Sequence, residues 1–231
     1  MATAPGTCGL VVTGTMTNAA LLFAAFPETA GHIRLSIMGG GFEVGNITRF
    51  AEFNIYCDPE AASSIFTLPA LSGKILLAPL DLTHTVLATA AVRSTLLTPT
   101  PTLFRTMLHD LLMFFAGTYA RVFGMTTGPP LHDPVAVAAL LYEDGSDPAL
   151  GFEWEECSIE IILQGEQLGK TVMWPVGAAP DNAHDGKKVI GEVVGESGVR
   201  VKVGKKVNAD EFWRVMLAAV DVSDGVSPLN V

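Results

Sequence analysis

Along the first third of the chain, short unbroken apolar runs alternate with turns and with apolar stripes of helical period. GLVVTG (9–14) predicts a short buried strand, and TMTNAALLFAAF (15–26) a helix entered from a Thr/Asn-rich turn. HIRLSIM (32–38) predicts a second strand, broken by Gly39, Gly40 and Gly41, and KILLAPL (74–80) a third that ends at Asp81. Between them PEAASSIF (59–66) reads as a helix, with Asp58 as N-cap and Pro59 in the first turn. Strands that are apolar throughout, separated by helices, indicate an α/β fold: an open, mixed, mainly parallel sheet with helices on both faces.

Farther on, 103–124 predicts a long, largely apolar helix and HDPVAVAALLY (132–142) another. Past Tyr142 the pattern changes. FEWEECSIEIIL (152–163), GKTVMW (169–174) and GVRVKVGKKV (198–207) alternate as strands do, and the Gly and Asp/Asn content of 176–186 marks a loop. A final helix starts at Asn208, where Asn208 and Glu211 have capping-box spacing and Phe212, Val215, Met216 and Ala219 form the apolar stripe. We expect one domain over 1–231, with 1–8 disordered and 143–231 an antiparallel or mixed extension.

The stretch FAEFNIYCDPEAA (50–62) does not fit a plain buried strand. At period two, Ala51, Phe53 and Ile55 would face one way and Glu52, Asn54 and Tyr56 the other. A carboxylate and a carboxamide would then share one face near a strand's carboxyl end, with only Arg49 near enough in sequence to fold back on Glu52. An unpaired buried carboxylate is costly. An acceptor pair beside a donating amide is suited to vicinal hydroxyls such as those of a sugar.

Composition narrows the partners. Of 231 residues, 49% are hydrophobic and 16% charged, which excludes a disordered chain. Acidic residues outnumber basic ones 24 to 14, a net charge of -10 that argues against nucleic acid, because nothing would neutralise its phosphates broadly. Cys8, Cys57 and Cys157 lack metal-ligand spacing and suit a reducing compartment. The amino terminus has no basic region followed by a long apolar run, and Arg105, His109, Asp110 and Arg121 interrupt the most apolar helix. The chain therefore reads as a cytoplasmic protein without a membrane partner.

Several short stretches carry polar groups where a ligand would gather in such a sheet, near the carboxyl ends of strands. VTGTMTN (12–18) is by itself an ordinary strand-to-helix turn at Thr13 and Gly14. The glycines of MGGGFEVGN (38–46) permit close backbone approach to a ligand, or form a plain loop. Their spacing is not that of a dinucleotide-binding turn. In GPPLHDPVAVAALL (128–141), Asp133 and Pro134 fit an N-cap and first helical position. His132 beside them is either a satisfied histidine or an acid next to a metal ligand, and Asp81 and His84 of LDLTH either line a cleft or serve the turn.

Taken in order, TGTMTNAALL, MGGGFEVGNITRFAEFNIYCDPEAA, LDLTH and PPLHDPVAVAALL resemble successive signature segments of the inosine-uridine preferring nucleoside hydrolases, from about residue 9 to about residue 142. The resemblance implies hydrolysis of the N-glycosidic bond of ribonucleosides to ribose and free base by a calcium-bound water. Position by position, it makes the Thr13 carbonyl and the Asp133 carboxylate metal ligands. Asn46, Glu52 and Asn54 become contacts to ribose hydroxyls, and Met38 lies beneath the sugar. Phe53 walls the base pocket, and His132 protonates the departing base or stacks near it. Such roles match the chemistry: an oxocarbenium-like sugar is stabilised by hydrogen bonds to its hydroxyls, and the leaving base must take a proton.

One part of the family pattern is missing. The family's opening strand ends in an aspartate cluster of the form D-x-D-x-x-x-D-D, and no such cluster occurs in this sequence. The sequence therefore predicts an amino-terminally truncated version of the fold and an incomplete calcium site. It also predicts an exposed sheet edge beside GLVVTG that invites copies of the chain to associate. Two readings stay open, a ribonucleoside hydrolase and an inactive remnant that binds ribosides or serves as an interaction surface.

Overall fold

A computed structural model describes residues 4–176 and 198–230. The loop expected over 176–186 lies, after Val176, outside the described residues, as do residues 1–3 of the segment expected to be disordered. The chain divides into two compact units, one formed by residues 1–81 and 153–205, the other by 82–152 and 206–231.

The first unit is built on strand β1 (Cys8–Val12), helix α1 (Thr17–Ala25), strand β2 (Ile33–Met38), a short helix α2 (Phe53–Cys57), helix α3 (Pro59–Phe66) and strand β3 (Ile75–Ala78). Strands β4 (Glu153–Ile161), β5 (Thr171–Pro175) and β6 (Val201–Lys206) complete it. They form a six-stranded sheet in the order β1-β2-β3-β6-β4-β5. The pairs β1–β2, β2–β3 and β3–β6 are parallel and β4–β5 is antiparallel, so the sheet is mixed and mainly parallel as expected. Strands β2 and β3 are almost wholly buried, which is why their sequences read as continuous apolar runs and not as alternation. Met16, Phe23, Ile65 and Phe66 from α1, α3 and their flanks pack with Leu35, Ile37, Ile75, Leu77, Val201 and Val203 in one core.

Strand β1 is a terminal strand of the sheet and only half-buried. A groove of about 480 Å³ runs along it, lined by Leu10, Val12, Thr13, Asn18 and Leu22 among others. The exposed edge foreseen from the sequence is therefore present. β1 also ends at Val12, two residues before the predicted end, leaving Thr13 and Gly14 in the turn.

The strand expected through residues 51–56 is not there. Only Ala51 makes a β-bridge, to Lys170, and the chain then turns directly into α2. The buried positions are Ala51, Glu52, Asn54 and Ile55, while Phe53 and Tyr56 are exposed. This is a helical spacing and not an alternation of two. The cause is Glu52, whose side chain caps the helix by accepting from the backbone N–H groups of Asn54 and Ile55.

From β3 the chain passes through a single helical turn, α4 (Leu80–Thr83), into the second unit. That unit contains α5 (Ala90–Leu97), α6 (Leu103–Phe123), α7 (Asp133–Glu143) and α8 (Ala209–Val226). The helices α6 and α8 fall where the sequence placed them, and Asn208 caps α8 by accepting from the Glu211 N–H at 3.3 Å. The other half of the capping box is not used: the Asn208 N–H donates to the Leu150 carbonyl at 2.8 Å, and the Glu211 carboxylate accepts from Arg214 Nε at 2.5 Å. The start of α6 is fixed to the end of α8 by Arg105, which donates to Asp224 at 2.7 Å, to the Leu96 carbonyl at 2.9 Å and to Asp221. Among the described residues no helix is long and apolar enough to cross a membrane.

Candidate active site

In the first unit the polar residues singled out by the sequence gather around the glycine loop that follows β2. Asn54 donates from its side-chain amide to the Met38 carbonyl at 3.1 Å and lies 3.3 Å from the Met38 sulfur. The Glu52 carboxylate is 2% exposed and accepts from the N–H groups of Gly40 (2.9 Å), Asn54 (2.9 Å) and Ile55 (3.2 Å). Asn46 accepts at Oδ1 from the Phe53 N–H at 2.8 Å. Met38, Asn46, Glu52, Phe53 and Asn54 thus form one cluster.

Within that cluster the carboxylate meets the backbone before it meets any ligand. Gly40 adopts φ +75°, and a Cβ there would lie 2.9 Å from Thr171 Oγ1, so only glycine fits. The close approach that the triple glycine permits is to the protein's own chain. Asp81 clamps the far side of the loop, accepting from the Phe42 N–H at 2.8 Å and the Glu43 N–H at 3.0 Å. That resolves one open choice in favour of structure. Arg49 does not fold back on Glu52; its guanidinium sits 4.5 Å from the centre of the Phe50 ring. Phe53 projects outward with 52% of its surface exposed.

In the second unit, the segment after α4 runs antiparallel to the approach to α7. Leu87 bridges Pro130, the Ala88 N–H donates to the Pro129 carbonyl at 2.9 Å, and the Leu131 N–H donates to the Val86 carbonyl at 2.9 Å. Gly128 makes this pairing possible, since a Cβ there would meet the Ala88 carbonyl oxygen at 2.2 Å. The pairing sets Thr83 and His84 beside His132. His132 Nδ1 is 2.8 Å from Thr83 Oγ1, and Nε2 is 2.5 Å from the Tyr119 hydroxyl. The His84 and His132 rings are 5.5 Å apart, edge to face. Burial pulls the His132 imidazole down from the ordinary histidine range to about 4, and the neighbouring His84 adds to the shift.

The start of α7 differs from the prediction by one position. His132, not Asp133, occupies the N-cap, without a capping side-chain bond, and Asp133 and Pro134 are the first two helical residues. Asp133 therefore contributes charge to the first turn but no cap. Its carboxylate forms no hydrogen bond or ion pair among the described residues, and partial desolvation raises its pKa although the residue remains exposed. Thr13 lies exposed just past β1. Calcium takes about six to eight oxygen ligands. One carboxylate and one carbonyl are of the right chemistry but too few, and no group of three or more His, Cys, Asp or Glu suited to a metal occurs among the described residues. The residues present do not by themselves fit a calcium ion.

The first unit thus carries a buried polar cluster at its glycine loop, and the second a histidine hydrogen-bonded to a phenol. Residues 1–214 match the family described as inosine-uridine preferring nucleoside hydrolase. The chain belongs to that family. It is 33% identical to the uridine nucleosidase of Saccharomyces cerevisiae, over 97% of this chain and 64% of that one. It is 32% identical to a probable ribonucleoside hydrolase of Dictyostelium discoideum, over 92% of this chain and 56% of that one. A solved plant nucleoside hydrolase superposes with a TM-score of 0.73 at 27% identity, covering 94% of this chain and 62% of the other. The chain therefore spans rather more than half the length of the hydrolases it matches.

Two residues of the histidine cluster were not legible in the sequence of this nucleoside hydrolase family member. Tyr119 looks like one more apolar position of α6, and Thr83 like filler between Asp81 and His84. The available signal for Tyr119 was its hydroxyl, a polar tip on a half-buried ring that finds a hydrogen-bond partner.

Proposed function

We propose that this chain acts on ribonucleosides, cleaving the N-glycosidic bond to give ribose and the free base. The observation that carries the proposal is the His132 cluster, in which an imidazole is held between two hydroxyls at the mouth of α7. A departing base carries the bonding electron pair and needs a proton. The Tyr119 hydroxyl and His132 Nε2 form a short path for one, and Thr83 fixes the ring by its other nitrogen. On the sugar side, Asn46, Glu52 and Asn54 hold ribose hydroxyls, with Met38 beneath the ring and Phe53 against the base. The bonds that Glu52 already makes to Gly40, Asn54 and Ile55 fix its oxygens before substrate arrives, which is preorganisation.

The family resemblance implies calcium. Asp133, whose carboxylate has no hydrogen-bond or ion-pair partner among the described residues, and the Thr13 carbonyl are the donors this chain would offer, and further oxygens are required to complete a site.

The small donor set favours a second reading, in which the chain binds ribonucleosides without turning them over. One experiment separates the two: release of base from inosine and uridine, followed with and without added calcium, for the chain and for His132→Ala. The hydrolase reading expects turnover that His132→Ala lowers by about 100-fold or more, as loss of a general acid does. It also expects kcat/KM to climb as pH falls from 7 toward 5, because the free-protein His132 gains its proton only near about 4. Saturable inosine binding with no base released under any condition supports the second reading.

A further inference from the structure

Beside the glycine loop one polar atom is left over. Thr171, the first residue of β5, is 2% exposed, and its Oγ1 is buried without a hydrogen-bond partner among the described residues. A dry, unpaired hydroxyl is costly, and valine has the same shape without one. The atom does not lie in a remote corner. A Cβ on Gly40 would meet three atoms of Thr171 first, Oγ1 nearest at 2.9 Å, so Oγ1 faces the Gly40 Cα. Gly40 is also the residue whose N–H donates to Glu52 Oε2 at 2.9 Å. The main chain holds β5 against the same cluster, because Lys170 bridges Ala51, the residue before Glu52.

Glu52 Oε2 has both lone pairs in use, accepting from the N–H groups of Gly40 at 2.9 Å and Ile55 at 3.2 Å. A sugar hydroxyl that donates to this oxygen has to displace one of them. The Ile55 N–H belongs to the first turn of α2 and cannot leave without unwinding it, whereas the Gly40 N–H lies in a run of three glycines that can turn. We propose that Thr171 is a positioning residue that receives the displaced group: when a ribonucleoside takes Glu52 Oε2, the Gly40 N–H passes from the carboxylate to Thr171 Oγ1. The proposal rests on the reading that Glu52 holds a ribose hydroxyl. The N–H groups of Asn54 and Ile55 keep the carboxylate in place during the exchange. The oxygen that is idle in the free protein is then an acceptor held in reserve, and the bound state leaves no buried Gly40 N–H without a partner.

Inosine binding to the full chain, measured by calorimetry for wild type, Thr171→Val and Thr171→Ser, tests the exchange. Valine keeps the shape and removes the acceptor, so Thr171→Val should weaken inosine binding by about 10-fold or more, as stranding a buried N–H does. Its urea midpoint should equal or exceed that of wild type, because the hydroxyl makes no bond in the free protein. Thr171→Ser keeps the oxygen and should bind nearly as wild type does. Hydrogen exchange at the Gly40 amide supplies a readout that a purely structural threonine would not move: at saturating inosine it should stay protected in wild type and lose protection in Thr171→Val. Equal affinities for Thr171→Val and wild type, or equal protection of Gly40, overturn the exchange and leave the ribonucleoside reading standing. A Thr171→Val chain less stable than wild type overturns it too, since the hydroxyl would then already be paired. Wild type that binds no inosine overturns the ribonucleoside reading and the exchange together.

Discussion

Glu52 accepts three backbone N–H groups while almost wholly buried, and it ties the glycine loop at Gly40 to the start of α2. Glutamine keeps its size but replaces an acceptor with a donor, which would face those same N–H groups. Glu52→Gln should therefore cost about 1–3 kcal/mol of stability, read as a lower urea midpoint. An unchanged midpoint would show that the clamp is not structural. The sequence located this residue as anomalous but assigned it to a strand, because glutamate is not a usual N-cap and period-two alternation was the only local pattern available.

His132 makes a different kind of demand. Its folded pKa of about 4 lies below the ordinary value of 6.5, so the unfolded chain binds the proton more readily. Stability contributed by the neutral ring is complete above about 6.5, is lost as pH falls toward about 4, and changes no further below that. The loss amounts to roughly 3 kcal/mol, and His132→Asn should remove that part of the pH dependence of the urea midpoint. A wild-type and variant difference that is flat across this window would contradict the assignment.

At the scale of elements, legibility followed length and periodicity. Helices α3, α6 and α8 were evident because a stripe of several turns, with Asp58 or Asn208 at its start, outweighs local ambiguity. The five-residue α2 and the single turn α4 have too few positions to show a period, and Leu80 read as the end of β3 although it starts that turn. Arg105 was legible only as a charge in an apolar helix; its partners Asp221 and Asp224 lie at the far end of α8. It joins the two helices through side-chain bonds and also holds the Leu96 carbonyl, so Arg105→Met should destabilise by on the order of 2 kcal/mol while leaving helix content near native. Equal denaturation midpoints for variant and wild type would mean that packing alone holds the α6–α8 junction.

For the whole molecule, the α/β class could be read from three apolar runs, but the order of the sheet could not. β6 inserts between β3 and β4 by pairing with a strand far earlier in the sequence, and alternation within GVRVKVGKKV says nothing of that neighbour. The candidate site was legible for the same reason that the family was, since its residues fall in contiguous motifs. Tyr119 and Thr83 escaped because only folding brings them to His132. The central claim, itself a proposal, is that the His132 cluster serves a ribonucleoside. Titration of inosine into isotope-labelled chain, followed by NMR, tests it without requiring turnover. The account predicts that the His132 ring signals move and saturate as inosine is added. Ring signals that stay fixed at saturating inosine would contradict it.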